Sequence, residues 1–217
     1  MKLVSPSFEI LSNTSQDAII GQLKIVELAG RNCYKSEDKI CEDSYNKIIA
    51  MLRLKKHESV LEHGNITVRF IGSRAFSHQL IRHRIAAYSQ ESQRYCNYSK
   101  GKFGNEITFI KPIKYDSWID SAKARWTQAC LDCESHYKDL LADGVHAEDA
   151  RGVLTNDCKT EIVVTMNLRS WRHFFKMRSD KHAQAEIRFL AMGLLDEFYK
   201  LMPVIFEDLY QEFRSVE

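Results

Sequence analysis

Apolar residues recur along this chain at two periods, and the change from one to the other marks its predicted elements. Residues 3–11 predict a short strand, and residues 17–29 and 42–55, with apolar positions three and four apart, predict two helices. In NITVRFIG, Ile66, Val68 and Phe70 alternate with Thr67, Arg69 and Ile71, which is a strand pattern. Ser73 stands where it can cap a following helix that carries Phe76, Leu80 and the run Arg82-His83-Arg84. After an irregular segment, EITFIKP predicts a second strand. Trp118, Ala122, Trp126, Cys130, Cys133, Tyr137 and Leu141 then share one stripe, so residues 116–144 read as one long helix, with a short one over residues 147–154. TEIVVTMN is a β-branched strand that runs directly into a helix ending at Arg178. A break at Ser179-Asp180 precedes a last long helix to Met202. Strands and helices mix without the regular alternation of a doubly wound sheet, so the fold class is α+β. No repeat, low-complexity tract or Gly/Ser/Pro linker divides the chain, and residues 1–217 read as a single domain.

Composition narrows the function classes. With 44% apolar and 11% aromatic residues, 217 residues can bury a full core. The net charge is only +2, so any anion site is local, and a global nucleic-acid footprint is not expected. The N-terminal MKLVSPSFEILSN lacks a signal-peptide core, and no run approaches the ~20 apolar residues of a bilayer span; a cytoplasmic protein without membrane attachment is expected. Six cysteines are too sparse for a disulfide scaffold in a chain of this length, so reduced thiols are the default. The Cys130-x-x-Cys133 pair lies on the apolar stripe with no second pair to complete four ligands, which favours core packing over redox or zinc chemistry.

Two further segments bear on chemistry. HESVLEH invites a metal reading, but His57 and His63 stand six apart, whereas a metalloprotease helix needs H-E-x-x-H; no metal is expected. The plainer reading has His57, Glu58 and Glu62 capping a helix end, with a ligand-contacting histidine as its rival. No glycine-rich phosphate loop of Rossmann or Walker type exists, so a nucleotide's phosphates must be held by side chains, and arginine suits that task. Arg82, Arg84 and Arg94 cluster in one stretch; Arg169, Arg172, His173 and Lys176 share one helix face, ordinarily a solvated stripe. Arg178 differs. It continues the apolar stripe of Trp171, Phe174 and Phe175, where a guanidinium needs an anion or carbonyl partner. YSQESQRY is either an ordinary polar loop or a set of donors and acceptors suited to the edge of a base. The residues alone thus point to a phosphorylated, planar, hydrogen-bonding ligand held by arginines from two distant segments.

At these residues the sequence resembles the flavin-dependent thymidylate synthases, whose signature is R-H-R, seven residues, then Ser: here Arg82-His83-Arg84, IAAYSQE and Ser92. HESVLEH, Gln79, the QRY after the serine, ARGVL at 150–154, NLRSWRHFFKMR at 167–178 and DKHAQ-x-EI at 180–187 match in the family's order. The resemblance implies an α+β fold with a small central, mainly antiparallel sheet packed with helices, in a homotetramer whose active sites are shared between subunits. It implies methylation of dUMP to dTMP, with 5,10-methylenetetrahydrofolate giving the carbon, FAD carrying the hydride and NADPH reducing the flavin. Carried over position by position, His57, Ser59, Arg82, His83, Arg84, Gln90, Asn167, Leu168, Arg169, His173 and His182 would contact FAD. Gln79, Leu80, Ile81, Arg82, Gln90, Glu91, Ser92, Gln93, Arg94, Arg151 and Arg178 would hold dUMP, and Arg178 would activate the uracil.

The chain departs from many members at Ala87, Ser89, Gln90 and His173, and it has Val60 where proline is frequent. Either Gln90 or the adjacent Glu91 takes the place of the usual glutamate. Two rivals from other classes are a nucleic-acid-binding module that stacks bases on Tyr88, Tyr95 and Tyr98, which the near-zero net charge disfavours, and a metal-dependent nucleotide hydrolase, which the histidine spacing disfavours.

Overall fold

The computed structural model describes residues 1–98 and 104–214. The elements in chain order are β1 (Lys2–Val4), β2 (Ser7–Ile10), α1 (Gln16–Tyr34), α2 (Ser44–Leu54), a 3-10 turn (Glu58–His63), β3 (Asn65–Ser73), α3 (Arg74–Leu80), β4 (Ala87–Gln90) and β5 (Thr108–Ile110). They continue with α4 (Asp120–Ala142), α5 (Ala147–Ala150), β6 (Lys159–Asn167), α6 (Leu168–Arg178), α7 (Ala185–Leu201) and α8 (Pro203–Arg214). The class is α+β, with a small antiparallel sheet ordered β2-β3-β6-β4 and a separate parallel pair, β1 and β5, in register Lys2 to Thr108. Among the described residues, no helix is long and apolar enough to cross a membrane.

Contacts divide the chain into two compact units. The first comprises Met1–Ser7, Phe70–Arg82 and Ser89–Val163; the second comprises Phe8–Arg69, His83–Tyr88 and Val164–Glu217. In the first, α4 supplies Cys130, Cys133 and Tyr137 to a core completed by Tyr98, Ile107, Phe109, Ala150 and Cys158. The C-x-x-C pair therefore lies in that core, and burial pushes the thiols of Cys130 and Cys158 up to about 12. Trp118, placed on the same stripe by its spacing, precedes the helix, which starts only at Asp120. Trp126 binds the chain leading into β6, its Nε1 donating to the Asp157 carboxylate at 2.7 Å.

In the second unit the core is aromatic. Trp171, Phe174 and Phe175 of α6 meet Phe198 of α7 and Phe206 of α8, with ring centroids 5.2–6.0 Å apart and mostly edge-to-face. Trp171 also donates its indole N–H to the Ile66 carbonyl at 3.0 Å, which ties α6 to β3. Pro203 opens α8, as its fixed φ and missing N–H allow at a first helical position. This last helix, burying Ile205, Phe206 and Leu209, is an addition to the elements read from the sequence. The strand expected over residues 3–11 is two strands, because Ser5-Pro6 interrupts it.

One expected element is corrected. The helix capped by Ser73, whose Oγ accepts from the Phe76 N–H, stops at Leu80, so Arg82-His83-Arg84 lie beyond it. The His83 carbonyl accepts the Tyr88 hydroxyl at 2.6 Å instead of a helical amide, and the chain enters β4 at Ala87. Here a side-chain bond from five residues further along the chain takes the place of one more helical turn.

Candidate active site

Strand β6 ends at Asn167, whose side-chain oxygen accepts the Ser170 N–H at 2.8 Å and so starts α6 at a fixed point. From there three and four-residue spacing sends Trp171, Phe174 and Phe175 inward and brings Arg178, half-buried, to the end of the apolar stripe. Its Nε donates to the His83 Nε2 at 3.0 Å, which joins a signature residue to the end of the 167–178 motif, 95 positions apart within the second unit. His83 is 8% exposed, packs edge-on to Phe174 with centroids 5.2 Å apart, and has the His173 ring 5.6 Å away. Because Nε2 accepts, the ring proton resides on Nδ1. Burial, then the charges of Arg178 and His173, hold the imidazole down at about 4. His83 is thus a neutral ring at physiological pH.

This has a consequence for stability. The unfolded chain binds a proton near 6.5 and the folded chain only near 4, so the unfolded state carries more protons in that window. The contribution from neutral His83 is present above pH 6.5 and is lost as pH falls towards 4. Thermal melts of wild type and His83→Gln should converge as pH drops through this range; a constant difference between them would contradict the assignment.

The remaining flavin candidates of this unit are close to the surface. His57, just before the 3-10 turn, is hydrogen-bonded through Nδ1 to Tyr34 at 3.0 Å, and the turn carries the exposed Ser59. No side chain caps this turn, so the capping reading of HESVLEH is corrected: Glu62 pairs with Arg169 at 2.6 Å and Glu58 with Arg172 at 3.1 Å. Gly64 lets the turn approach α6 closely, since a Cβ there would lie 2.5 Å from the Leu168 side chain. Arg84, Arg169 and His173 are exposed, whereas Leu168 is fully buried. His182 is exposed and bonded to Asp180. Arg172 does not belong to a solvated stripe. It is 8% exposed and grips Asp208 through both terminal nitrogens, at 2.8 and 2.7 Å, because α8 covers that face.

The nucleotide candidates, apart from Arg178, lie in the first unit. Arg94 and Arg151 are exposed and share Glu148: Arg94 Nε meets its carboxylate at 2.8 Å and Arg151 Nε its carbonyl at 3.0 Å. Ser92 Oγ accepts the Arg94 N–H at 3.3 Å. The Gln90 amide donates to Thr160 at 3.1 Å, and Gln93, buried, donates to the Cys158 sulfur at 3.5 Å. Gln79 is half-buried, Leu80 buried, and Ile81 and Arg82 exposed. Sequence reasoning passed over Glu148, Thr160, Lys159 and Tyr98 as neighbours of these residues. The only signal was position: Thr160 opens the strand read from its β-branched residues, and Lys159 directly precedes it.

A family model described as thymidylate synthase complementing protein matches residues 17–204. A flavin-dependent thymidylate synthase of Geobacter sulfurreducens is 41% identical over 192 residues, covering 84% of this chain and 80% of the relative. The chain belongs to the flavin-dependent thymidylate synthase family. A second member, from Pyrococcus furiosus, is 40% identical over 177 residues, 79% of this chain and 70% of its own. Among solved structures, a UMP/dUMP methylase from Streptomyces cacaoi bound with 5-Br dUMP aligns over 98% of both chains, with a TM-score of 0.77 and 25% identity. Membership of this family, together with that likeness, disfavours a non-catalytic nucleic-acid-binding module.

Proposed function

We propose that the protein methylates dUMP to dTMP, taking the carbon from 5,10-methylenetetrahydrofolate and the reducing equivalents from NADPH through FAD. The observation that carries this reading is the Arg178 to His83 hydrogen bond, in which a half-buried guanidinium at the end of an aromatic stripe is oriented by a neutral imidazole. The enzyme is read as one functional domain over residues 1–217, which the family match supports by running through both compact units. We take it to act in the cytoplasm as a homotetramer whose active sites draw residues from several subunits.

The donor set suits FAD. Arg82, Arg84 and Arg169 present exposed guanidinium groups, and His173 an exposed imidazole, which match the oxygens of a pyrophosphate. Those residues, with His57, Ser59, His83, Gln90, Asn167, Leu168 and His182, would hold the dinucleotide. When bound, FAD supplies a hydride equivalent that completes the methyl group.

The protein's own residues have three tasks. Gln79, Leu80, Ile81, Arg82, Gln90 to Arg94 and Arg151 hold dUMP, with the arginines taking its negative charge. Arg178 activates C5 of the uracil, a weak nucleophile, by favouring the electron-rich ring through its carbonyl and nitrogen, an effect worth about 3 kcal/mol for one well-placed donor. His83, accepting from Nε at 3.0 Å, fixes the orientation of the Arg178 guanidinium. A covalent nucleophile is unnecessary. Cys130 and Cys158, held up at about 12 by burial, remain protonated thiols at neutral pH, and Ser92 turns its oxygen to a backbone N–H.

The purified protein should be yellow, or become so with added FAD, and should form dTMP when given dUMP, methylenetetrahydrofolate and NADPH. Folded, flavin-loaded protein that binds dUMP and yields no dTMP would sink this function.

A further inference from the structure

Glu91 lies inside the segment assigned above to dUMP, and each of its four polar groups is already engaged. Its N–H donates to the Glu161 carbonyl at 2.8 Å, and its carbonyl accepts an Arg74 N–H at 2.9 Å. One carboxylate oxygen accepts the Tyr98 hydroxyl at 2.7 Å, and the other meets the Lys159 ammonium at 3.0 Å. The Glu91 side chain is 14% exposed, so its charge depends on these partners. Burial, followed by Glu91 itself, pushes the Tyr98 hydroxyl up, which keeps it protonated and donating. Burial works against the charge on Lys159, but its bonds to Glu161 and Glu91 outweigh that, and its pKa is raised.

The neighbouring side chains follow the same strand. Gln93 reaches Cys158, Glu91 reaches Lys159 and Gln90 reaches Thr160, so three consecutive residues entering β6 each hold one side chain of the segment. Arg94, just beyond, remains exposed.

We propose that Lys159 and Tyr98 are positioning residues for nucleotide binding: through Glu91 they lock residues 90–94 in the form that takes dUMP. Within the segment that holds dUMP, Glu91 then serves by anchoring its neighbours rather than by touching the nucleotide, and Gln90 stands in the place of the family's usual glutamate. The inference rests on the assignment of this segment to dUMP.

The test is titration of dUMP into FAD-loaded protein by calorimetry, with the KM for dUMP and kcat measured alongside. Lys159→Met should weaken dUMP binding about tenfold, as expected when one shielded carboxylate oxygen loses its charged partner, and raise the KM for dUMP more than it lowers kcat. FAD content should remain that of wild type, and Lys159→Arg should restore binding to within about threefold. Should Lys159→Met fail to fold, Tyr98→Phe, which removes the hydroxyl that Glu91 accepts, should show the same selective weakening. Wild-type dUMP affinity in a folded variant would overturn the inference while leaving the proposed reaction intact. Parallel loss of FAD and dUMP would overturn it as well, by showing a general structural role. Wild-type protein that neither binds dUMP nor makes dTMP would overturn the proposed reaction and this inference together.

Discussion

Replacing Arg178 by alanine should lower turnover by about two to three orders of magnitude, the cost of deleting one preorganised charged donor in a site of this kind, while FAD stays bound. α6 is anchored at one end by the Asn167 cap and along its length by Trp171, Phe174 and Phe175, so truncating its last residue leaves the aromatic packing in place. One change in the site is expected nonetheless. Arg178 is the second cause, after burial, that holds His83 down at about 4, so the imidazole should titrate higher in the variant while remaining depressed. Rapid-mix assays and a proton-detected titration of the His83 ring would read the two effects separately. Loss of flavin, or turnover within tenfold of wild type, would refute the role given to Arg178.

That side chain also shows how much the sequence disclosed. Its place on an apolar stripe was legible because helix periodicity assigns residues to faces without reference to the rest of the fold. The same arithmetic misplaced Arg172, which shares a face with Arg169, His173 and Lys176 in the sequence yet is buried by α8. Periodicity identifies a face, whereas the partner that covers the face comes from distant chain, here Asp208. The signature triplet gives a similar lesson. Spacing and residue type marked Arg82, His83 and Arg84, but the local pattern could not reveal that a Tyr88 hydroxyl would take the His83 carbonyl out of helical bonding. For β6, β-branched residues located the strand to within one position and said nothing of its first polar residues, because Lys159 and Thr160 acquire meaning only against the chain of residues 90–93.

The His83 to Arg178 pair and the Glu91 anchor divide the labour in a recognisable way. The first orients a charged group through a neutral acceptor; the second holds both carboxylate oxygens of Glu91, one on the Tyr98 hydroxyl and the other on the Lys159 ammonium. Arg172 follows the second pattern, with Asp208 and Glu58 matching it and the Ile205 carbonyl accepting from it.

Arg172→Met should therefore lower stability by about 2–4 kcal/mol, since it removes the guanidinium and leaves the carboxylates of Asp208 and Glu58 without their shared partner. Methionine fills similar volume, so the loss measures charge and hydrogen bonding rather than a cavity. In a chain of 217 residues this corresponds to a fall in melting temperature on the order of 5–15 °C. Arg53, 2.7 Å from Asp208, compensates in part, which sets the lower end of the range. Burial alone would raise the Asp208 pKa, but its bonds to Arg172 and Arg53 outweigh burial and hold it down at about 2. A carboxylate depressed in the folded state contributes stability above its unfolded pKa of 3.8 and loses it as pH falls towards 2. The difference between wild type and variant should thus be full at neutral pH and shrink across that acidic window. Adding Asp208→Asn to Arg172→Met should recover part of the loss, because the second change deletes the charge that the first one stranded. Melts of the single and double variants at neutral pH decide the matter: a single variant within about 2 °C of wild type would show that the ion pair contributes no net stability.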